Sequence, residues 1–277
     1  MRLAEPIDQA TGLRRLFAGG SAFHAVGILG PDGQRNARVC AELAQGLARR
    51  GNRVLVLDEA RPPYNVGGMW GLLPRHSLAD VPGIGLARAV MDAGPGIRLL
   101  ATPDAMRTLA GLHERVLRDL AEQWQETPEW MLVNGLGGLR ARNACLAMTA
   151  DTRVLVLPGE RDWLAEAYAV LKTGHTAWPG GRWQVLVENA DPEAARRLYH
   201  SLRGTAMRFL GLAPDYLGSL SGTRLPRGDA HAGLLAESLQ AAQPINFEQF
   251  WQRMWLFSRM AMEPAAGKGI HAGRYPG

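Results

Sequence analysis

Residues 25–58 read AVGILGPDGQRNARVCAELAQGLARRGNRVLVLD. Ala25 to Leu29 is a short, uncharged apolar run of the kind that fills a buried strand. A turn of glycine, proline and polar residues follows. From Arg38 to Arg50 the apolar residues Val39, Leu43 and Leu47 recur every fourth position, which puts them on one helix face. Gly51-Asn52 supplies a helix stop. Val54 to Leu57, closed by Asp58, is a second buried strand. Two charge-free strands joined by a helix that crosses between them are the repeating unit of a parallel sheet.

The alternation continues outward. Ile97 to Ala101, Trp130 to Val133, Val154 to Leu157 and Val185 to Val187 read as further strands. Helical stretches lie at Leu109 to Gln125, Asp162 to Leu171 and Pro192 to Leu210. Upstream, Ile7, Ala10, Leu13, Leu16 and Phe17 form a short helical stripe that Asp8 can cap. The expected fold is a doubly wound α/β domain with a mainly parallel sheet and helices on both faces. Its expected division is an N-terminal segment 1–20, an α/β domain 21–243, and a C-terminal amphipathic helix with a loose tail over 244–277.

The 277 residues are 47% hydrophobic and 21% charged, which suits a globular chain with a large core. The net charge of +5 is a mild basic excess, spread without a concentrated run, and argues against DNA binding. The two cysteines, Cys40 and Cys145, lie far apart and form no C-x-x-C pair. No apolar leader opens the chain. These features point to the cytoplasm. The seven histidines have no metal-ligand spacing, and no serine lies in a G-x-S-x-G elbow.

In a doubly wound fold the turn after the first strand is where phosphate binds, on the N-terminus of the next helix. A working P-loop needs glycines for close backbone approach, a lysine on the phosphates and a hydroxyl on Mg²⁺. Here the turn reads Gly30-Pro31-Asp32-Gly33-Gln34-Arg35-Asn36-Ala37. Gly30 and Gly33 remain. Arg35 stands where a glycine belongs, Asn36 at the lysine position and Ala37 at the hydroxyl position. Asp32 adds negative charge. Arg35 or Arg38 is the substitute cation for a non-standard anion contact.

The chain resembles the MinD/ParA group of deviant Walker ATPases, and within it the flagellar-number regulators of FlhG/FleN type. Val26 to Ala48 aligns without a gap on that family's G-K-G-G-x-G-K-T loop and following helix, with the signature lysine at Pro31. Asp8 to Leu16 is similar to the opening D-Q-A-x-x-L-R segment. Asn65-Val66, Gly71-Leu72 and Ser77 to Val81 resemble the family's A-N-V-D…L-G-L…T-L-A-D-V run. Glu166 to Lys172 is similar to its D-A-Y-A-L-I-K helix. Arg208 to Gly211 and Asp215 to Gly218 match its late helix and last strand. The resemblance runs from about residue 7 to about residue 260.

The departures fall on the chemistry. The family's D-x-D switch is Asp58-Glu59-Ala60 here, and its Walker B aspartate is Asn134. Phosphoryl transfer depends on positioning and charge neutralisation. With these groups replaced, no catalytic residue and no cofactor are expected. ATP and Mg²⁺ would bind only if the degenerate loop of Gly30, Gly33, Arg35, Asn36, Ala37, Asp58 and Asn134 retains a site. The resemblance implies a non-hydrolysing regulator of flagellar number or placement that binds an FlhF-like GTPase. Asp8, Gln9, Leu13, Arg14 and Leu16 would make that contact, and flagellar basal-body switch proteins are further implied partners. The alternatives are a weak ATP-binding or ATPase switch, and an adaptor for another polar or envelope machine.

The segment Ile245 to Met262 carries Phe247, Phe250, Trp251, Met254, Trp255 and Phe257 at helical spacing. Such a helix suits either a membrane interface or the core. The first alternative would put the protein at the periphery of the inner membrane or at a pole.

Overall fold

The computed structural model describes residues 22–116, 128–137, 143–220, 239 and 244–262. Nine strands lie among them: β1 (Ala22–Leu29), β2 (Val54–Asp58), β3 (Met91–Gly94), β4 (Ile97–Ala101), β5 (Trp130–Asn134), β6 (Thr152–Pro158), β7 (Arg182–Glu188), β8 (Asp215–Leu220) and β9 (Ile245–Asn246). The longer helices are α1 (Gly33–Arg49), α2 (Ala105–Gly111), α3 (Leu164–Ala177), α4 (Pro192–Leu210) and α5 (Phe247–Met262). The sheet order is β3-β4-β2-β5-β1-β6-β7-β8, with β9 also on β1. Only β3–β4 and β1–β9 are antiparallel among the described pairings. The architecture is the doubly wound, mainly parallel α/β sheet that the alternating pattern predicts.

Alternate side chains of the central strands feed the two faces, as the period of a strand requires. Val26, Ile28, Val54, Val56 and Leu132 meet Val39, Cys40, Leu43 and Leu47 of α1 on one face. Leu29, Leu55, Leu57, Met131 and Val133 join the other face, with Val170 and Leu171 of α3 and Phe250, Trp251, Met254 and Phe257 of α5. Cys40 and Cys145 are separate buried free thiols.

Two expectations need correction, and one strand is additional. The helix expected over Leu109–Gln125 is interrupted: α2 starts at Ala105 and stops at Gly111, and the chain is helical again over residues 114–116. Leu112 is extended, and its carbonyl accepts the Trp255 indole N–H at 3.1 Å, a bond that continuing the helix would compete for. Residues 117–127 lie outside the described residues. The C-terminal helix begins two residues late, because Ile245 and Asn246 pair with Phe23 and Ala22 as β9. Asn246 then caps α5, accepting from Gln249 N–H at 2.8 Å. Strand β3 was not foreseen. Met91–Gly94 is short and half-buried, and turns through Gly94 and Gly96, both at positive φ, onto β4.

β1 lies centrally, between β5 and β6. Its crossover through α1 leads to β2 on one side, while the chain after β5 returns to β6 on the other. The carboxyl ends of β1 and β5 therefore flank the switch point where ligands of this fold class bind.

Candidate functional site: a phosphate cradle filled by its own chain

The turn between β1 and α1 lies at that switch point, and its own side chains satisfy it. Asp32 is the N-cap of α1, in extended conformation, and its carboxylate accepts from Gln34 N–H at 2.9 Å and Arg35 N–H at 3.2 Å. A carboxylate here does what a bound phosphate would do. It answers the orphan N–H groups and the positive end of the helix dipole. Asn36 is fully buried and turns back, donating from Nδ2 to the Gly30 carbonyl at 3.0 Å. A Cβ on Gly30 would overlap Asn36 Oδ1. From the opposite side the loop after β5 closes down. A Cβ on Gly137 would overlap the backbone N and Cα of Gly33, so only glycine permits this approach.

The substitute cations are engaged as well. Arg35 faces Asp32 at 3.3 Å, Glu160 at 3.2 Å and Glu188 at 3.6 Å. Arg38 is ion-paired with Glu188, which is buried at the end of β7. Ala37, at the hydroxyl position, is fully buried in the core.

Asp58 and Asn134, at the ends of β2 and β5, are bonded to each other. Asp58 is buried at the end of β2, and Asn134 Nδ2 donates to its Oδ1 at 2.8 Å. Gly67 N–H donates to Oδ2 at 3.1 Å. Burial raises the Asp58 carboxyl, while the Asn134 and Gly67 hydrogen bonds oppose that rise. Two carboxylates here would repel without a cation between them. An amide donor removes the need for one. Among the described residues no His, Cys, Asp or Glu group of three is placed to hold a metal ion.

Above the turn lies an open groove of about 590 Å³, lined by Pro31, Pro62, Pro63, Tyr64, Leu136 and Trp163. The charged side chains on its rim are themselves paired: Arg61 with Asp104, and Asp32 with Arg35. A Mg²⁺-polyphosphate needs open backbone donors, a lysine and carboxylate ligands. The residues present do not fit one.

Gly137, Glu160 and Glu188 also shape this site without any signal in the motifs, and Glu59 entered only as the middle residue of Asp58-Glu59-Ala60. Glu59 is buried below the loop that leads to β6, and its two carboxylate oxygens accept from Leu146 and Ala147 N–H at 2.8 and 3.0 Å. It ties the end of β2 to the segment following β5. Burial pushes its pKa up to about 7, against those two bonds. The only signal in the sequence was a second acidic residue directly after a buried strand. The raised value fixes a sign. The protonated acid favours the fold, so this group's stabilisation is complete below about pH 4.5 and is lost as pH rises through about 7. Between pH 6 and 8 the wild type should lose about 1 kcal/mol that Glu59→Gln does not lose. Urea melts of both proteins at the two pH values measure this, and parallel slopes would place the ionisation elsewhere.

The remaining candidate residues fall into two groups. Asp8, Gln9, Leu13, Arg14 and Leu16 lie outside the described residues. Phe250, Trp251, Met254 and Phe257 are buried against the core, and Trp255 is half-buried. The Phe247 side chain lies outside the description. Leu256, Met260 and Met262 are exposed on the outer side of the same helix. No described helix is long and apolar enough to cross a membrane.

No family model matches the chain. The antiactivator FleN of Pseudomonas aeruginosa is 28% identical over 207 residues, covering 71% of this chain and 74% of that protein. Among solved structures, the cell division ATPase MinD of Pyrococcus furiosus superposes with a TM-score of 0.54 at 18% identity, over 78% of this chain and 98% of that one. A ParA family ATPase from Chlorobium tepidum gives 0.55 at 14% identity, over 79% and 99%. MinD of Pyrococcus horikoshii, solved with Mg-ADP, gives 0.52 at 17% identity, over 87% and 96%. The structural likenesses establish the fold. The chain has the fold of the MinD/ParA ATPases and is similar in sequence to the flagellar antiactivator FleN.

Proposed function

We propose that this protein regulates flagellar number or placement without hydrolysing nucleotide, by binding other proteins. The observation that carries the reading is the filled cradle: Asp32 on the helix N-terminus, Asn36 on Gly30, and Gly137 against Gly33. In an ATPase of this fold those places belong to the nucleotide and to the residues that touch it. The likeness to an antiactivator supports a regulatory role in the flagellar system. The partner is an FlhF-like GTPase, contacted through Asp8, Gln9, Leu13, Arg14 and Leu16, on the strength of the family resemblance.

The test is to measure GTP hydrolysis by the FlhF-like GTPase of the same organism with the full chain added. Stimulation is expected to be equal with and without an ATP analogue, and to disappear with Leu13→Ala plus Arg14→Ala. Stimulation that needs ATP would overturn the nucleotide-independent reading. Stimulation that survives the double substitution would overturn the assignment of the partner contact.

A further inference from the structure

Two cavities adjoin above the carboxyl ends of the strands. The groove over the β1–α1 turn runs between Pro31, Pro63, Tyr64, Leu136 and Trp163. Ala60, Arg61 and Pro62 line it and also line a second cavity of about 490 Å³. That cavity opens between Asn65, Pro74, Arg75, Ser77, Ala101 and Pro103. The walls of the two come from the ends of β6, β1, β5, β2 and β4, which are neighbours in the sheet. Four strand spacings of about 4.8 Å make a trough about 19 Å long, the reach of about six extended residues.

One end of the trough is apolar and stiff. Pro31, Pro62 and Pro63 stand there with Tyr64 and Trp163, and Tyr64 is 55% exposed. Asp32, at this end, is held by Arg35. The other end is polar, and most of its charges are answered within the chain. Arg61 pairs with Asp104. Asp80 accepts from Ser77 N–H at 2.8 Å and from the Ser77 hydroxyl at 3.2 Å, and lies within electrostatic reach of His76. Arg75 is exposed and makes no ion pair with any described residue. Asn65 is 4% exposed. Its Oδ1 accepts from Gly68 N–H at 3.2 Å, while its Nδ2 meets no acceptor among the described residues. An enclosed amide donor on a cavity wall calls for an acceptor from outside the chain.

We infer that this trough binds an extended segment of a protein partner, with proline or aliphatic residues against Tyr64 and Trp163 and a carboxylate on Arg75. Aromatic rings and prolines make the kind of wall on which extended, proline-containing segments pack. The Asn65 amide can donate to a main-chain carbonyl of such a segment. Arg75 sets the sign of the charge, because among the residues lining the trough it alone has no described partner of opposite sign. A nucleic acid is disfavoured, since a polyanion draws its affinity from several unpaired cations. A bilayer is too broad to enter a trough. The inference rests on the reading of this protein as a binding module and names the chemistry of what it binds.

The experiment is selection of short random peptides, displayed on phage, against the immobilised full chain in the absence of nucleotide. Enriched sequences should carry proline or aliphatic residues within about six positions of an Asp or Glu. The consensus peptide, synthesised and labelled, is then titrated by fluorescence anisotropy, with a DNA duplex in parallel. Arg75→Glu should weaken the peptide at least about tenfold, and Trp163→Ala about fivefold. Replacing the peptide's carboxylate by lysine should restore binding to Arg75→Glu. Tyr64→Ala, at a side chain more than half exposed, is the second variant if Trp163→Ala lowers the melting temperature. No enrichment, enrichment without acidic residues, or binding that Arg75→Glu and Tyr64→Ala both leave unchanged would each overturn the inference. So would a duplex that binds more tightly than the peptide and is released by Arg75→Glu. Because the peptide assay contains no nucleotide, ATP dependence of GTPase stimulation would overturn the nucleotide-independent reading and leave this result standing.

Discussion

Trp251→Ala should cost about 3–5 kcal/mol, the loss expected when a fully buried indole leaves a cavity. Trp251 is 1% exposed and lies in the same core cluster as Phe250, Met254 and Phe257. The helix that carries it is held along its length. Phe250 meets Phe23 of β1 edge-on at 5.6 Å, and Phe257 meets Trp178 in the same way. Arg253 reaches Asp151 at 2.6 Å and the Thr149 carbonyl at 3.2 Å. For a chain of this size such a loss should lower the melting temperature by roughly 10 °C. Truncation after Gln243 removes all four buried side chains and should leave an insoluble product. A soluble, cooperatively melting truncation would mean that α5 is peripheral to the core.

Restoring the consensus phosphate residues should not restore the site. In Asn36→Lys with Ala37→Thr, the new ammonium enters a fully buried position whose present occupant is bonded to the Gly30 carbonyl. Asp32 still occupies the helix N-terminus, and Gly137 still lies against Gly33. The variant should be less stable than wild type by about 3 kcal/mol, the scale of a buried charge without a partner, and should still not bind Mg·ATP. Adding Asp32→Gly frees the Gln34 and Arg35 N–H groups and is the step expected to bring back measurable anion affinity. Denaturant melts combined with nucleotide titration follow both effects. Binding by the double variant alone would show that Asp32 is not an obstacle.

What was legible in the sequence was mostly what local pattern dictates. Pro192–Leu210 and the central strands were visible because charge-free runs and fourfold spacing are properties of neighbouring residues. The replaced positions at Asn36, Ala37 and Asn134 were visible because a motif fixes which residue stands where. The way they close the site was not visible, because it depends on contacts across the fold. Arg35 and Arg38 looked like substitute cations until the fold brought Glu160 and Glu188 to them, more than a hundred residues away in the chain. The aromatic stripe of α5 reads the same for a membrane and for a core, and only the packing of Phe250 and Trp251 against β1 and its neighbours shows which surface it covers. The sequence pattern reads straight through the end of α2 at Gly111. The need of Trp255 for the Leu112 carbonyl is a long-range reason that no window of sequence contains.

The central claim is that the cradle is filled by the chain itself, and calorimetric titration of the full wild-type protein with Mg·ATP and Mg·ADP tests it most directly. No binding heat at roughly millimolar nucleotide is predicted, corresponding to less than about 4 kcal/mol of affinity. The Asp32→Gly, Asn36→Lys, Ala37→Thr variant serves as the positive comparison. Micromolar binding by the wild type would contradict the account, because Asp32 and the loop bearing Gly137 would then have to move aside for a phosphate.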